Sequence, residues 1–246
     1  MTLIIASSIE SEFAFVASDT RRTAPDGASY AVVRKLFTVQ PKSGDGFIVG
    51  LFGRPGVLTP LSAGAKTWNQ FESLRLKDFA AERAGMSTLS HADLVSAMVS
   101  ALRLLSFYPC VGDPPCAACY PVFGMTDTGD LEVQVVQLKV GAGGVQRVEA
   151  DAVARPVLGI EAFGASRACH GPSAFPALRG NATRMPDAED ARDALMAVRE
   201  KIASSEDKEL VSPSRDETEV IAFSHDADAW KPRRIGEATG LGPEWK

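Results

Sequence analysis

The sequence has little cysteine, no excess of basic charge and no long hydrophobic run, and each shortage argues against a class of protein. Four cysteines in 246 residues are too few for a disulfide scaffold. Lys and Arg number 26 and Asp and Glu number 31, so the net charge is −5. This balance argues against a nucleic-acid partner, which a basic surface would bind. No apolar run approaches the roughly 18 to 20 residues that cross a bilayer, and residues 1–8 lack the basic segment of a secretory signal. The sequence therefore predicts a cytoplasmic protein with no membrane partner.

The remaining composition is that of an ordinary soluble globular protein. Hydrophobic residues make up 45% of the chain and charged residues 23%, which is enough to build a core. We find no internal repeat, no low-complexity tract and no linker that would divide the chain. The length and the composition together predict a single domain over residues 1–246.

Blocks of strand-like sequence are separated by helix-like sequence, without strict alternation of strand and helix. Predicted strands cover residues 2–8, 13–18, 35–40, 46–52, 119–126, 131–135, 145–151, 155–163 and 219–223. Helices are predicted to begin at Thr59-Pro60, at Ser90 and at Pro186-Asp187. This order favours antiparallel sheets covered by helices over a doubly wound parallel sheet. We expect an α+β fold, a four-layer α/β/β/α sandwich of two antiparallel sheets.

Three residues near the amino terminus form the most informative constellation. Thr2 follows Met1, Asp19 lies seventeen residues later, and Lys35 lies sixteen residues beyond that. Removal of Met1 would give Thr2 a free α-amine beside its own hydroxyl, and such an amine has an ordinary pKa near 7.7 to 8.0. The amine could then accept the hydroxyl proton, which would make Thr2 a nucleophile. A buried Lys35 would lower the pKa of the amine by charge repulsion, and Asp19 would orient Lys35.

The segments Met1–Ile5, Phe15–Thr23, Arg34–Leu36 and Phe47–Gly53 together resemble the start of a proteasome β-type subunit. That family includes the peptidase of the bacterial HslUV system and the bacterial protein Anbu. The resemblance implies an N-terminal nucleophile hydrolase, a threonine-type peptidase that acts on polypeptides without a cofactor or a metal ion. It also implies that Thr2 is the nucleophile and that Asp19 and Lys35 are its supporting pair.

The same resemblance assigns roles to three further residues. Thr23 matches the position that hydrogen-bonds an extended peptide substrate. Gly53 matches a glycine whose backbone N–H faces the developing oxyanion, where one donor is worth roughly 3 kcal/mol of barrier. Ser166 stands one place later than the family's serine beside the terminal amine. The family resemblance further implies a homo-oligomer, a ring or an open helical assembly, and a possible ATPase unfoldase partner.

Alternatives remain open at the level of sequence. The chain could be a non-catalytic, proteasome-like assembling scaffold, because a retained Met1 would leave Thr2 inert, or a small-molecule amidase on the same fold. Cys116-x-x-Cys119, with Cys110 and Cys169, could bind zinc, but these cysteines provide only one close pair, which favours free thiols in a loop.

Overall fold

The described part of the chain is a mixed α+β structure rich in antiparallel strands. It is a computed structural model that describes residues 3–9, 13–23, 29–53, 68–104, 116–141, 146–164, 189, 191–197 and 215–242. The strands are β1 (Leu3–Ile9), β2 (Phe13–Asp19), β3 (Arg21–Thr23), β4 (Ser29–Val32), β5 (Leu36–Val39), β6 (Phe47–Gly50), β7 (Phe52–Gly53), β8 (Cys116–Met125), β9 (Leu131–Val140), β10 (Gln146–Ala150), β11 (Arg155–Pro156), β12 (Gly159–Gly164), β13 (Thr218–Asp226) and β14 (Ala229–Gly236). The helices are α1 (Trp68–Ala84) and α2 (His91–Arg103), residues 191–197 are also helical, and Arg215–Glu217 form a 3₁₀ turn.

Two larger sheets and one small ribbon account for the strands. The five-stranded sheet has the order β12-β1-β2-β13-β14. The seven-stranded sheet has the order β10-β9-β8-β6-β5, with β11 beside β9 and β7 beside β8. The ribbon pairs β3 with β4, and the strand pairs in all three sheets are antiparallel. Two antiparallel sheets of this kind are compatible with a sandwich.

Three clusters of buried side chains form the core. One cluster contains residues of both large sheets, such as Ile4 and Val16 from the five-stranded sheet and Ile48 and Phe123 from the seven-stranded sheet. A second joins the five-stranded sheet to the helical residues 191–197. The third joins the seven-stranded sheet to α1 and α2. Apolar residues on both faces of the central strands explain this arrangement, since side chains alternate between the two faces of a strand.

Helix α2 follows the sequence prediction closely. Ser90 is its N-cap, and Ser90 and Asp93 form a capping box in which each side chain contacts the other residue's backbone N–H. Leu94, Met98 and Leu102, spaced four residues apart, are buried in the core. This apolar stripe is therefore used inside the fold. For the helix predicted to begin at Thr59-Pro60, the described residues begin at Trp68, and α1 ends at Ala84.

The structure differs from the predicted strands in several places, and three of these differences add a strand or change its partner. No strand was predicted over residues 20–31, but this stretch contributes to the β3–β4 ribbon. The single strand predicted over 155–163 was wrong, because β11 ends at Pro156 and pairs with β9, whereas β12 pairs with β1. β12 begins at Gly159, whose φ of +70° suits glycine.

The third difference is β14, which the sequence analysis missed after predicting a last strand at 219–223. Ala227 and Asp228 have φ values of 50° and 67°, as in a tight two-residue hairpin turn, and they lead from β13 into β14. The strand was not predicted because Pro232 and the basic residues around it are not typical of a strand. Proline is tolerated there because β14 is the last strand in the order of its sheet.

No helix in the described ranges is both long and apolar enough to span a bilayer.

Candidate active site

A buried ion pair joins two of the residues that the sequence singles out. Asp19 is the last residue of β2, and Lys35 immediately precedes β5. The Lys35 Nζ donates a hydrogen bond to Asp19 Oδ2 over 2.8 Å. Lys35 is only 5% exposed and Asp19 only 3%, so water barely screens their attraction. The structure thus brings the predicted supporting pair together.

The same carboxylate also binds the first strand. The backbone N–H of Leu3 donates to Asp19 Oδ1 over 2.7 Å. One carboxylate therefore links β1 to Lys35, with one oxygen for each donor. Thr2 lies outside the described residues, but it is covalently bonded to the Leu3 nitrogen that makes this contact.

The backbone around Lys35 is held from both sides. Val33 N–H donates to the carbonyl of Thr20, next to Asp19, over 2.8 Å. Leu51 N–H donates to the carbonyl of Lys35 over 3.1 Å. These bonds fix the backbone from which the Lys35 side chain extends.

Gly53 and Thr23 each end a short strand. Gly53 ends β7, two residues after Leu51, and lies opposite Ala118 of β8. Thr23 ends β3 and lies opposite Ser29 of β4. Ser166, the sixth predicted site residue, falls outside the described residues. The described contacts thus join Asp19 to Lys35 directly. Gly53 is linked to this pair only through the chain, since Leu51, two residues before it, donates a hydrogen bond to the Lys35 carbonyl.

A second buried charge cluster, which the sequence analysis missed, is centred on β13, the strand that pairs with β2. Glu219 of β13 is fully buried, and its Oε1 accepts hydrogen bonds from Arg34 Nε at 2.9 Å and Arg234 Nη1 at 2.7 Å. Burial raises the pKa of Glu219, while the charges of Arg234 and Arg34 oppose that rise. Burial likewise lowers the pKa of Arg234, and Glu219 opposes the change. No sequence signal links Arg34 to Glu219, because 185 residues separate them.

The cysteines do not add a metal centre to the described part of the protein. Cys119 lies in β8 as a free thiol, and burial raises its pKa from 9.0 to about 11. Among the described residues, no three His, Cys, Asp or Glu side chains are grouped so that they could hold a metal ion. Cys110 and Cys169 lie outside those residues.

Comparisons with known proteins give matches among solved structures only. No family model and no curated protein matches the chain. The chain is similar to the Gly-1 mutant of Anbu from Hyphomicrobium sp. strain MC1, with 13% identity and a TM-score of 0.47 over 96% of this chain and 88% of that chain. It is also similar to Anbu (ancestral beta-subunit) from Yersinia bercovieri, with 12% identity and a TM-score of 0.45 over 96% of this chain and 87% of that chain. Both of these solved structures are of Anbu proteins.

Proposed function

We propose that this protein is a proteasome-like threonine peptidase whose nucleophile is Thr2 after removal of Met1. The observation that carries the proposal is the buried Asp19 carboxylate, which binds the Leu3 backbone N–H and the Lys35 ammonium at the same time. Only one peptide unit separates Thr2 from this charge pair. A fixed ammonium near a terminal amine lowers the pKa of that amine and increases its neutral, basic fraction.

The proposed reaction is the cleavage of an amide bond in two steps. Thr2 Oγ1 attacks the substrate carbonyl carbon while the α-amine of Thr2 accepts the hydroxyl proton. The C–N bond then breaks, the proton passes to the leaving amine, and an ester remains on Thr2. Water attacks this ester, the α-amine accepts a proton from the water, and the acid product leaves as the Thr2 hydroxyl is restored. The backbone N–H of Gly53 stabilises the oxyanion in both steps.

The remaining residues and partners belong to the same proposal. Thr23 hydrogen-bonds an extended polypeptide substrate, and Ser166 positions the terminal amine. The chain forms one domain over 1–246, a four-layer α/β/β/α sandwich, and works in the cytoplasm as a homo-oligomer without a cofactor. An ATPase unfoldase is a candidate partner.

A second candidate function is a non-catalytic assembling scaffold. The observation that favours it is that Asp19 joins β1, β2 and the residue before β5, which is useful to the fold without any chemistry. In that case the ion pair would contribute to folding alone, and the identity of residue 2 would not affect any reaction.

Two variants of residue 2 separate these functions. Thr2→Ala removes the hydroxyl, and we expect it to abolish hydrolysis of peptide and ester reporters. Thr2→Ser keeps both the hydroxyl and the terminal amine, and we expect it to retain measurable turnover. The thermal unfolding midpoint should match wild type in both variants. Turnover in Thr2→Ala above a few per cent of the wild-type rate would refute Thr2 as the nucleophile.

A further inference from the structure

We propose that Glu219, acting through Arg34 and Arg234, is a positioning residue that fixes Lys35 in the site. The inference rests on the proposed function for its catalytic consequence. Its structural part, the restraint on Lys35, depends on contacts among described residues and can be tested without an assay of hydrolysis.

The cluster holds the residues on both sides of Lys35. Arg34 precedes Lys35, and its side chain binds Glu219 Oε1. Leu36 follows Lys35, and its carbonyl accepts a hydrogen bond from Arg234 Nη2 over 3.3 Å. Arg234 Nη1 binds the same Glu219 oxygen as Arg34. Both neighbours of Lys35 are therefore connected to Glu219, Arg34 directly and Leu36 through Arg234.

The acceptors of Arg34 and Lys35 lie on neighbouring strands of the five-stranded sheet. Asp19 of β2 is opposite Thr218 of β13, and Ser18 is opposite Glu219. Asp19 and Glu219 are thus one register step apart. Consecutive residues, Arg34 and Lys35, each bind one of these two carboxylates. Two ion pairs therefore hold this dipeptide against the sheet that carries Asp19.

The energetic balance of the cluster favours a role in positioning. Glu219 is completely buried, and its Oε2 accepts no hydrogen bond from the described residues. The net rise in the pKa of Glu219 indicates that desolvation outweighs the attraction of the two arginines. A buried charge cluster of this kind adds little net stability, and specifying one arrangement is a known use of such groups.

The test removes Arg34, because Glu219→Gln leaves two mostly buried arginines without their carboxylate and can unfold the chain. In Arg34→Met, Glu219 keeps Arg234 as its partner. Arg233→Met is the matched control, since it removes one arginine charge from β14 at a residue whose side chain binds Asp226 and is 61% exposed. Arg34→Lys keeps the charge but not the planar guanidinium.

The first readout is acylation of Lys35 by an amine-reactive acetyl ester, measured by peptide mass spectrometry. We expect Lys35 to be protected in wild type and in Arg233→Met and to react several-fold faster in Arg34→Met. The alkylation rate of Cys119 serves as the reference for global opening and should be equal in all three proteins. This readout needs no activity, so it judges the positioning even if wild type hydrolyses nothing and the proposed function fails.

The second readout is the dependence of reporter turnover on pH. Displacement of the Lys35 ammonium raises the pKa of the Thr2 amine, so the acid limb of the profile should move to higher pH in Arg34→Met. The value of kcat should fall by about 10-fold to 100-fold, with KM nearly unchanged. Arg34→Lys should recover part of the loss. Wild-type acylation of Lys35 in Arg34→Met, or a wild-type kcat and acid limb in an active enzyme, would overturn the proposal.

Discussion

Lys35 and Asp19 form a 2.8 Å ion pair in which both residues are almost completely buried. The other oxygen of Asp19 accepts a hydrogen bond from the backbone of Leu3, so the pair is attached to the amino-terminal strand. The Asp19 carboxylate thus holds the charge of Lys35 close in space to the backbone that follows Thr2.

Replacing Lys35 should nearly abolish reporter hydrolysis. Lys35→Met removes the ammonium and leaves Asp19 with Leu3 N–H as its remaining described donor, so stability should also fall, by about 3 to 5 kcal/mol if the pair behaves as a typical buried one. Lys42→Met is the control, because Lys42 is exposed. Turnover against pH and urea unfolding measure the two effects. An unchanged pH profile in Lys35→Met would contradict a role for its charge.

Replacing Asp19 should have a smaller effect on turnover. Asp19→Asn keeps an oxygen for one of the two donors but loses the negative charge that holds the ammonium. We therefore expect turnover below wild type and above Lys35→Met, at substrate concentrations that saturate all three proteins. A loss as complete as that of Lys35→Met would mean that Asp19 is as important to the reaction as Lys35.

Cys119 should react slowly with iodoacetamide in the native protein. Burial raises the pKa of its thiol from 9.0 to about 11, and this outweighs the opposing charge of Lys139. At pH 8 a rise of two units lowers the thiolate fraction about 100-fold. Native stability should also fall as the pH rises from 9 towards 11, because the folded state favours the protonated thiol. Peptide mapping after alkylation at several pH values tests this, with urea-unfolded protein as the control. Equal rates in native and unfolded protein at pH 8 would contradict it.

The native protein should be a homo-oligomer in solution. An unguarded peptidase would cleave neighbouring proteins, so we expect the site to face an enclosed space in a ring or an open helical assembly. The apolar stripe of α2 does not support assembly, because Leu94, Met98 and Leu102 are buried within the chain. Light scattering at micromolar concentration measures the mass. A stable value near the monomer mass of 26.1 kDa would refute assembly and favour a small-molecule amidase.

Local patterns were enough to predict much of the fold. The first strand pair, predicted over 2–8 and 13–18, is observed as β1 and β2. The sequence Asp127-Thr128-Gly129, between two predicted strands, is typical of a turn, and the hydrogen bond from Thr126 N–H to the Asp130 carbonyl stabilises the turn there. These features depend on residues close in sequence, and the sequence displays them directly.

Contacts between distant residues could not be predicted in the same way. The pairing of Asp19 with Lys35 was expected from the amino-terminal constellation and from the family resemblance, while the pairing of Glu219 with Arg34 and Arg234 was not expected at all. The sequence does not distinguish a buried carboxylate from an exposed one, because burial depends on which distant segments the fold packs around it. His91 illustrates the same limit, since its Nδ1 contacts Glu132 Oε1 at 2.6 Å although 41 residues separate the two in sequence.

The intact mass of the native protein, before and after exposure to a slowly hydrolysed acyl ester, tests the central claim most directly. The account predicts a mass lower by one methionine than the full sequence, then a gain of one acyl group that peptide mapping places on Thr2. Thr2→Ala should lose Met1 as well but gain no acyl group. Retention of Met1 in the wild-type protein, or an acyl group carried by another residue, would contradict Thr2 as an amino-terminal nucleophile.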